Sequence, residues 1–247
     1  MNIPDYVIQL AYLVAAVCFM SGLKMLSSPR TARRGNFVSM IGMVIAVGAT
    51  AASGDILNWK LILVGAAVGG IVGAVAATKI QMTAMPQMVA ILNGFGGGAS
   101  MLVAMAQYLK GFEGQEFVPQ IAIVLAALIG GITLSGSLIA FLKLQEWMTG
   151  KPILLFGRHA LNLVLLLGCV AIAIILLASG PSASLFQQLS PTAFFFILCG
   201  ISLALGILLV IAIGGADMPV VISLLNSYSG MGLAVLTANE VGHFNQE

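Results

Sequence analysis

Two asparagines, Asn93 and Asn226, occupy the same place in two versions of one motif. The first version reads Met85-Pro86-Gln87-Met88-Val89-Ala90-Ile91-Leu92-Asn93-Gly94-Phe95-Gly96-Gly97. The second reads Met218-Pro219-Val220-Val221-Ile222-Ser223-Leu224-Leu225-Asn226-Ser227-Tyr228-Ser229-Gly230. Both run Met-Pro, an apolar stretch, Leu-Asn, a small residue, an aromatic, a small residue and Gly. A carboxamide carries no proton of its own in exchange, but it both donates and accepts hydrogen bonds. With about 1.5 Å of rise per residue, each amide lies roughly 10 Å inside its proline, nearing the middle of an apolar slab about 30 Å thick. There it can order water, hold a polar solute or bond one helix to another.

The other uncharged polar candidates inside apolar runs are Asn162, Ser135, Ser137, Thr133, Tyr228 and Ser229. Interhelical hydrogen bonding, at about 0.6–2 kcal/mol each, accounts for Ser135, Ser137 and Thr133 taken singly. The duplicated Asn environment points further, to a polar conduit through the membrane. No span interior holds an unambiguous Asp, Glu, Lys, Arg or His; His159 sits near a helix start and His243 in the tail. A pump normally keeps an ionisable group within the membrane, so a proton carrier has to come from outside this set.

Gly94, Gly96, Gly97 and Gly98 follow Asn93 directly. Each weakens a helix by roughly 1 kcal/mol relative to Ala, which predicts a bend, a gate or close approach of a neighbour; Tyr228 and Ser229 occupy the matching place in the second motif. This run follows no strand, so it is not a nucleotide-binding loop. Gly65, Gly69 and Gly73 read as a small-xxx-small packing face. Asp217 stands at a helix N-terminus, where a carboxylate caps the helix or forms a mouth or docking contact. Arg158-His159 reads as an interfacial anchor or as part of a docking surface.

The elements that position these residues follow from composition. The chain of 247 residues is 60% hydrophobic and 7% charged, with mean hydropathy +1.09. Apolar runs this long and unalternated specify an all-α polytopic membrane protein in a lipid bilayer. A formal net charge of +2 gives no reason to expect nucleic acid. Cys18, Cys169 and Cys199 each fall within a hydrophobic run and read as packing residues, with no disulfide or metal spacing.

Eight transmembrane helices are predicted: 4–26, 37–53, 60–78, 85–109, 118–143, 158–178, 192–213 and 218–237. The breaks fall at Ser27-Ser28-Pro29-Arg30, Ser53-Gly54-Asp55, Gly111-Phe112-Glu113-Gly114 and Ser179-Gly180-Pro181-Ser182. The first segment, with Asp5 and no basic leader, reads as a spanning helix and not as a cleaved signal peptide. Lys24, Arg30, Arg33, Arg34, Lys79, Lys143, Lys151 and Arg158 all lie on one side of this arrangement, and only Lys60 and Lys110 on the other. The basic side is cytoplasmic by the positive-inside rule, so both termini face out. The two Met-Pro helices then run parallel, four helices apart, which implies a parallel four-helix repeat; Leu23-Lys24 and Leu142-Lys143 are a weaker echo of it.

Gly214-Gly215-Ala216-Asp217-Met218-Pro219-Val220-Val221 with Leu225-Asn226-Ser227-Tyr228-Ser229-Gly230 strongly resembles the β subunit of the proton-translocating NAD(P) transhydrogenase family. So do Met82-Thr83-Ala84-Met85-Pro86 through Asn93, Ser135-Gly136-Ser137 with Ala140 to Leu144, and Lys151-Pro152 with Arg158-His159. The resemblance implies that residues 1–247 form the β part of a transmembrane proton-conducting domain. Hydride transfer between NAD(H) and NADP(H) then belongs to separate soluble domains. This chain is then expected to bind no cofactor or metal itself, with NADP(H) and NAD(H) in the other domains. The implied partners are an alpha-type subunit supplying membrane helices and the NAD(H) domain, an NADP(H)-binding domain, and a second αβ unit in a homodimer. The implied location is a bacterial inner membrane.

By the same resemblance Asn93, Ser137 and Asn226 belong to the proton path, while Asp217, Arg158 and His159 face the nucleotide domains. Some family members carry histidine where this chain has Asn93, so here the carrier is expected from the partner's helix. After Gly230 the sequence departs from the family pattern. Eight spans would leave its C-terminus outside, so the chain is expected to be truncated relative to the family. The competing reading is a secondary transporter or channel, with a midplane solute site at the repeated Asn motifs.

Overall fold

The computed structural model describes residues 4–52, 59–112, 117–154, 156–178 and 191–243, with side chains described as far as Gly230. Among the described residues are eight α-helices: α1 (Asp5–Leu26), α2 (Ala32–Ala52), α3 (Trp59–Lys79), α4 (Met85–Gly111), α5 (Phe117–Leu144), α6 (Arg158–Ala178), α7 (Pro191–Ile211) and α8 (Met218–His243). There is no strand among the described residues. Helices α1 to α7 are each long and apolar enough to cross a membrane. The protein is a multi-pass, all-α membrane protein.

Pro86, Pro119, Pro191 and Pro219 all lie within the first three residues of their helices, where a missing N–H costs least. Helix α2 starts at Ala32, five residues before the predicted boundary, because the Ser28 and Thr31 carbonyls accept from Ala32 N and Gly35 N. Helix α8 continues past Thr237 to His243. The predicted breaks at Ser53-Gly54-Asp55, Glu113-Gly114 and Ser179-Gly180-Pro181-Ser182, and the last four residues of the tail, lie outside the described residues.

The chain forms two compact units, Met1–Ala77 and Thr78–Glu247. In the first, α1 and α2 make a close antiparallel hairpin. A Cβ on Gly35 would lie 2.7 Å from the Gly22 carbonyl oxygen, and one on Gly42 3.1 Å from that of Ala15, so small residues set the helix separation. Tyr12 Oη and Thr50 Oγ1 lie 2.8 Å apart across the pair. Helix α3 buries none of its residues. Gly65, Gly69 and Gly73 have nothing within 4 Å of a Cβ position, so the expected packing face is unused among the described residues.

The second unit is organised around α5, which packs against α4, α7 and α8, with α6 lying on α7. One end of this bundle gathers Tyr108 of α4 with Phe112 just past its end, Ile123 of α5, Leu176 of α6 and Phe195 of α7. The other gathers Ala90 of α4, Ala140 of α5, Val210 of α7, and Met218 and Ile222 of α8. Helices α4, α6 and α8 therefore run one way, and α5 and α7 the other.

Candidate functional site

Asn93 is eight residues from the start of α4, and Ser137 is seven from the end of the antiparallel α5. At about 1.5 Å per residue both lie 10–12 Å from the same end of the bundle. Asn93 Nδ2 donates to Ser137 Oγ at 2.8 Å, and both side chains are buried. The glycines next to Asn93 permit the approach. A Cβ on Gly94 would lie 3.3 Å from Ser137 Cβ, and one on Gly97 2.7 Å from Thr133 Cβ. Gly98 faces Leu134, and Gly96 has open space. Helix α4 runs unbroken from Met85 to Gly111, so Gly94 and Gly97 serve the approach of α5 along a regular helix.

The serine hydroxyl accepts from the amide, which leaves its own O–H to be directed elsewhere. Thr133, one turn away on the same helix, is fully buried, and its Oγ1 has no hydrogen-bond partner. Ser135 and Ser202 differ in that they are tied to their own helices, donating to the Gly131 and Cys199 carbonyls. Asn93, Ser137 and Thr133 thus form a short polar line between α4 and α5, with one hydroxyl unassigned. Asn162, on α6, is half-buried, and its Oδ1 is also unpartnered.

Asn226 is not brought to this line. The two motifs begin alike: a 3₁₀ turn (Met82–Ala84, Gly215–Asp217) precedes each, led by residues of nearly equal backbone geometry, Gln81 at φ −70°, ψ 152° and Gly214 at φ −69°, ψ 151°. Beyond that start the helices present different faces. Helix α4 buries Ala90, Asn93, Gly94 and Gly97, whereas α8 buries Met218, Ile222, Leu225 and Ser229. Leu92 is 55% exposed and its counterpart Leu225 6%, while Asn93 is buried and Asn226 exposed. The cause lies on α5. Gly136 leaves room that Leu225 fills, with a Cβ there 3.2 Å from Leu225 Cδ1, so α8 is turned about one residue, or 100°, relative to α4.

Asn226 and Tyr228 therefore lie on the outer surface of α8. An open groove of about 470 Å³ on this helix is lined by Pro219, Val220, Ser223, Leu224 and Ser227. Ser227 and Ser229 donate to the Ser223 and Asn226 carbonyls of their own helix. Asp217 is exposed in the second 3₁₀ turn. Arg158 Nε donates to the exposed His159 Nε2 at 3.3 Å, at the start of α6 and hence at the same end of the bundle. Cys18, Cys169 and Cys199 are free thiols, the latter two buried as packing residues.

The residue that sequence reasoning missed is Lys143. Counted as an interfacial cation, it is 2% exposed, and its Nζ donates to the carbonyls of Ile211 at 2.6 Å, Ile213 at 2.7 Å and Lys151 at 3.4 Å. Its presumed echo Lys24 is exposed. Only the central position of α5, invisible in one sequence, buries the one and not the other.

Comparison with known proteins agrees with the local motifs. A family model described as the NAD(P) transhydrogenase beta subunit matches residues 8–238. The chain belongs to the NAD(P) transhydrogenase beta subunit family. Two proteins of Rhodospirillum rubrum, each called NAD(P) transhydrogenase subunit beta, are 41% identical to it over 231 residues, covering 91% of this chain and 48% of theirs. The chain thus spans about half the length of these curated relatives. The family match extends eight residues beyond Gly230, so likeness to the beta subunit does not stop where the expected departure was placed. Asn93, Ser137, Thr133 and Lys143 all lie inside the matched segment.

Proposed function

We propose that this chain is the membrane proton-translocating part of an NAD(P) transhydrogenase. It would couple proton flow to hydride transfer between NAD(H) and NADP(H) in separate soluble domains. The buried Asn93–Ser137 hydrogen bond carries this reading, because it sets a polar pair deep within a mostly apolar helix bundle. The amide holds the serine hydroxyl in one orientation and cannot itself take up the proton. Its task is to order water or to face an ionisable group on a partner helix. Thr133 extends the same line by one turn. Asn226 would join from the open side of α8, once helices of an alpha-type subunit lie against that face.

The nucleotides belong to the other domains: the glycine-rich run at 94–98 is inside a helix and preceded by no strand, unlike a dinucleotide-binding turn. Asp217, Arg158 and His159, at one end of the bundle, are suited to meet an NADP(H)-binding domain. The assembly is then a homodimer of αβ units in a bacterial inner membrane, with the basic end inside. A transporter with one solute site built from both Asn motifs is disfavoured, because the two amides lie on unlike faces of their helices, one buried and one exposed.

The test is reconstitution in liposomes with an alpha-type subunit and an NADP(H) domain, following proton uptake and hydride transfer together. For Asn93→Ala and Ser137→Ala both rates should fall together by about tenfold or more, the scale of one lost buried hydrogen bond, with assembly intact. If both rates persist, the pair is helix glue and the reading fails.

A further inference from the structure

The Lys143 ammonium is the one charged side chain buried among the described residues. A buried charge is tolerated only when its hydrogen-bonding capacity is met, and here an ammonium with three donors meets three carbonyls. Two of them, Ile211 O and Ile213 O, belong to the end of α7 and the residues that follow it. There helix carbonyls lack intrahelical partners and the dipole favours a cation. The third, Lys151 O, belongs to the α5–α6 connection.

Other bonds converge on the same place. Gly215 N donates to Gly150 O at 2.8 Å and Ile153 N to Ile211 O at 3.2 Å. Gln87 Nε2, at the start of α4, donates to Leu144 O at 3.1 Å. Directly after Lys143 the chain turns back through Glu146, a non-glycine residue at φ 60°, with Glu146 N bonded to Lys143 O. The end of α5, the α5–α6 connection, the end of α7 and the 3₁₀ turn before α8 are thus fastened around one ammonium.

We infer that Lys143 is a positioning residue, a clamp that fixes the α7–α8 joint and so holds α8 where Leu225 meets Gly136 and Asn226 faces outward. The functional part of this inference rests on the proton-translocation reading; the clamp itself does not. Without the ammonium, three carbonyls lose their shared donor, and the Gly150–Gly215 and Ile153–Ile211 bonds are left to tie the joint to the α5–α6 connection. Arginine keeps the charge and several donors, though in a planar fork that fits three carbonyls less well.

The two parts are tested separately on the assembled complex. For the clamp, Gly150 and Gly215 are replaced by cysteine in a background lacking Cys18, Cys169 and Cys199. A Cβ on Gly215 would lie 3.4 Å from Gly150 Cα, so the two positions are neighbours, and the rate of disulfide formation under mild oxidation reports how firmly the joint keeps them so. Cross-linking should be fast with Lys143, slower by about tenfold with Lys143→Met, and largely restored with Lys143→Arg. For the function, coupled proton uptake and hydride transfer should fall about tenfold in Lys143→Met, with nucleotide KM unchanged and partial recovery in Lys143→Arg. Equal cross-linking in all three overturns the clamp whatever the activities do. Lost cross-linking with unchanged coupled rates overturns its positioning role. If the Lys143 complex itself moves no protons, the translocation reading has failed while the cross-linking result still decides the clamp.

Discussion

At the scale of single residues, the α4–α5 interface holds two kinds of hydroxyl. Ser137 Oγ is engaged by Asn93 Nδ2 at 2.8 Å, whereas the buried Thr133 Oγ1 has no partner. Burying a polar group without a hydrogen bond costs free energy, and removing one partner of a buried pair strands the other. Ser137→Ala should therefore lower thermal stability in detergent by about 1–3 kcal/mol, since the Asn93 amide loses its acceptor. Thr133→Val, nearly the same shape, should be neutral or stabilising by up to about 2 kcal/mol. A clear loss for Thr133→Val would mean that the threonine hydroxyl is held by an ordered water.

At the scale of elements, two helices with one motif use opposite sides of it. Lead-ins of nearly equal backbone geometry at Gln81 and Gly214 start α4 and α8 the same way. The partner surface then decides the rotation, with Ser137 and Thr133 facing Gly94 and Gly97 of α4, and Gly136 receiving Leu225 of α8. Truncation separates the two arrangements. Leu225→Ala should destabilise the isolated chain by about 2–5 kcal/mol, as buried leucines do. Leu92→Ala should stay within about 0.5 kcal/mol, as exposed positions do. Equal losses in melting temperature at the two sites would disprove the rotation.

At the scale of the whole molecule, the second unit alternates direction from α4 to α8. Its described Lys and Arg side chains divide accordingly, with Lys79, Lys143, Lys151 and Arg158 at one end and Lys110 at the end of α4 at the other. Orientation by the positive-inside rule predicts that Lys151→Cys is labelled by a membrane-impermeant maleimide only from the cytoplasmic face. Lys110→Cys should be labelled only from the opposite face. Labelling of both from one face of sealed vesicles would refute the alternating order. Asn226 belongs to this scale as well, because this chain leaves it on an open surface of α8, and its place in the proposed proton path rests on a partner's helices.

Much of the protein was legible in the sequence. Length and apolarity of the runs, with prolines near helix starts, determined a bundle of membrane helices to within a few residues for most elements, because hydrocarbon permits the backbone few alternatives. The resemblance at Asp217 to Gly230 and around Asn93 led to the family, and Asn93 and Ser137 proved to be partners. Three matters were decided only by packing. Asn226 does not share the surroundings of Asn93, since a helix's rotation depends on which neighbour has the gap. Gly94 and Gly97 admit α5, while Gly65, Gly69 and Gly73, equally small, meet nothing among the described residues. Lys143 is a buried clamp and Lys24 an exposed cation, although both end a helix as Leu-Lys. In lipid the backbone alone dictates that helices form, but the role of a side chain depends on what stands opposite it.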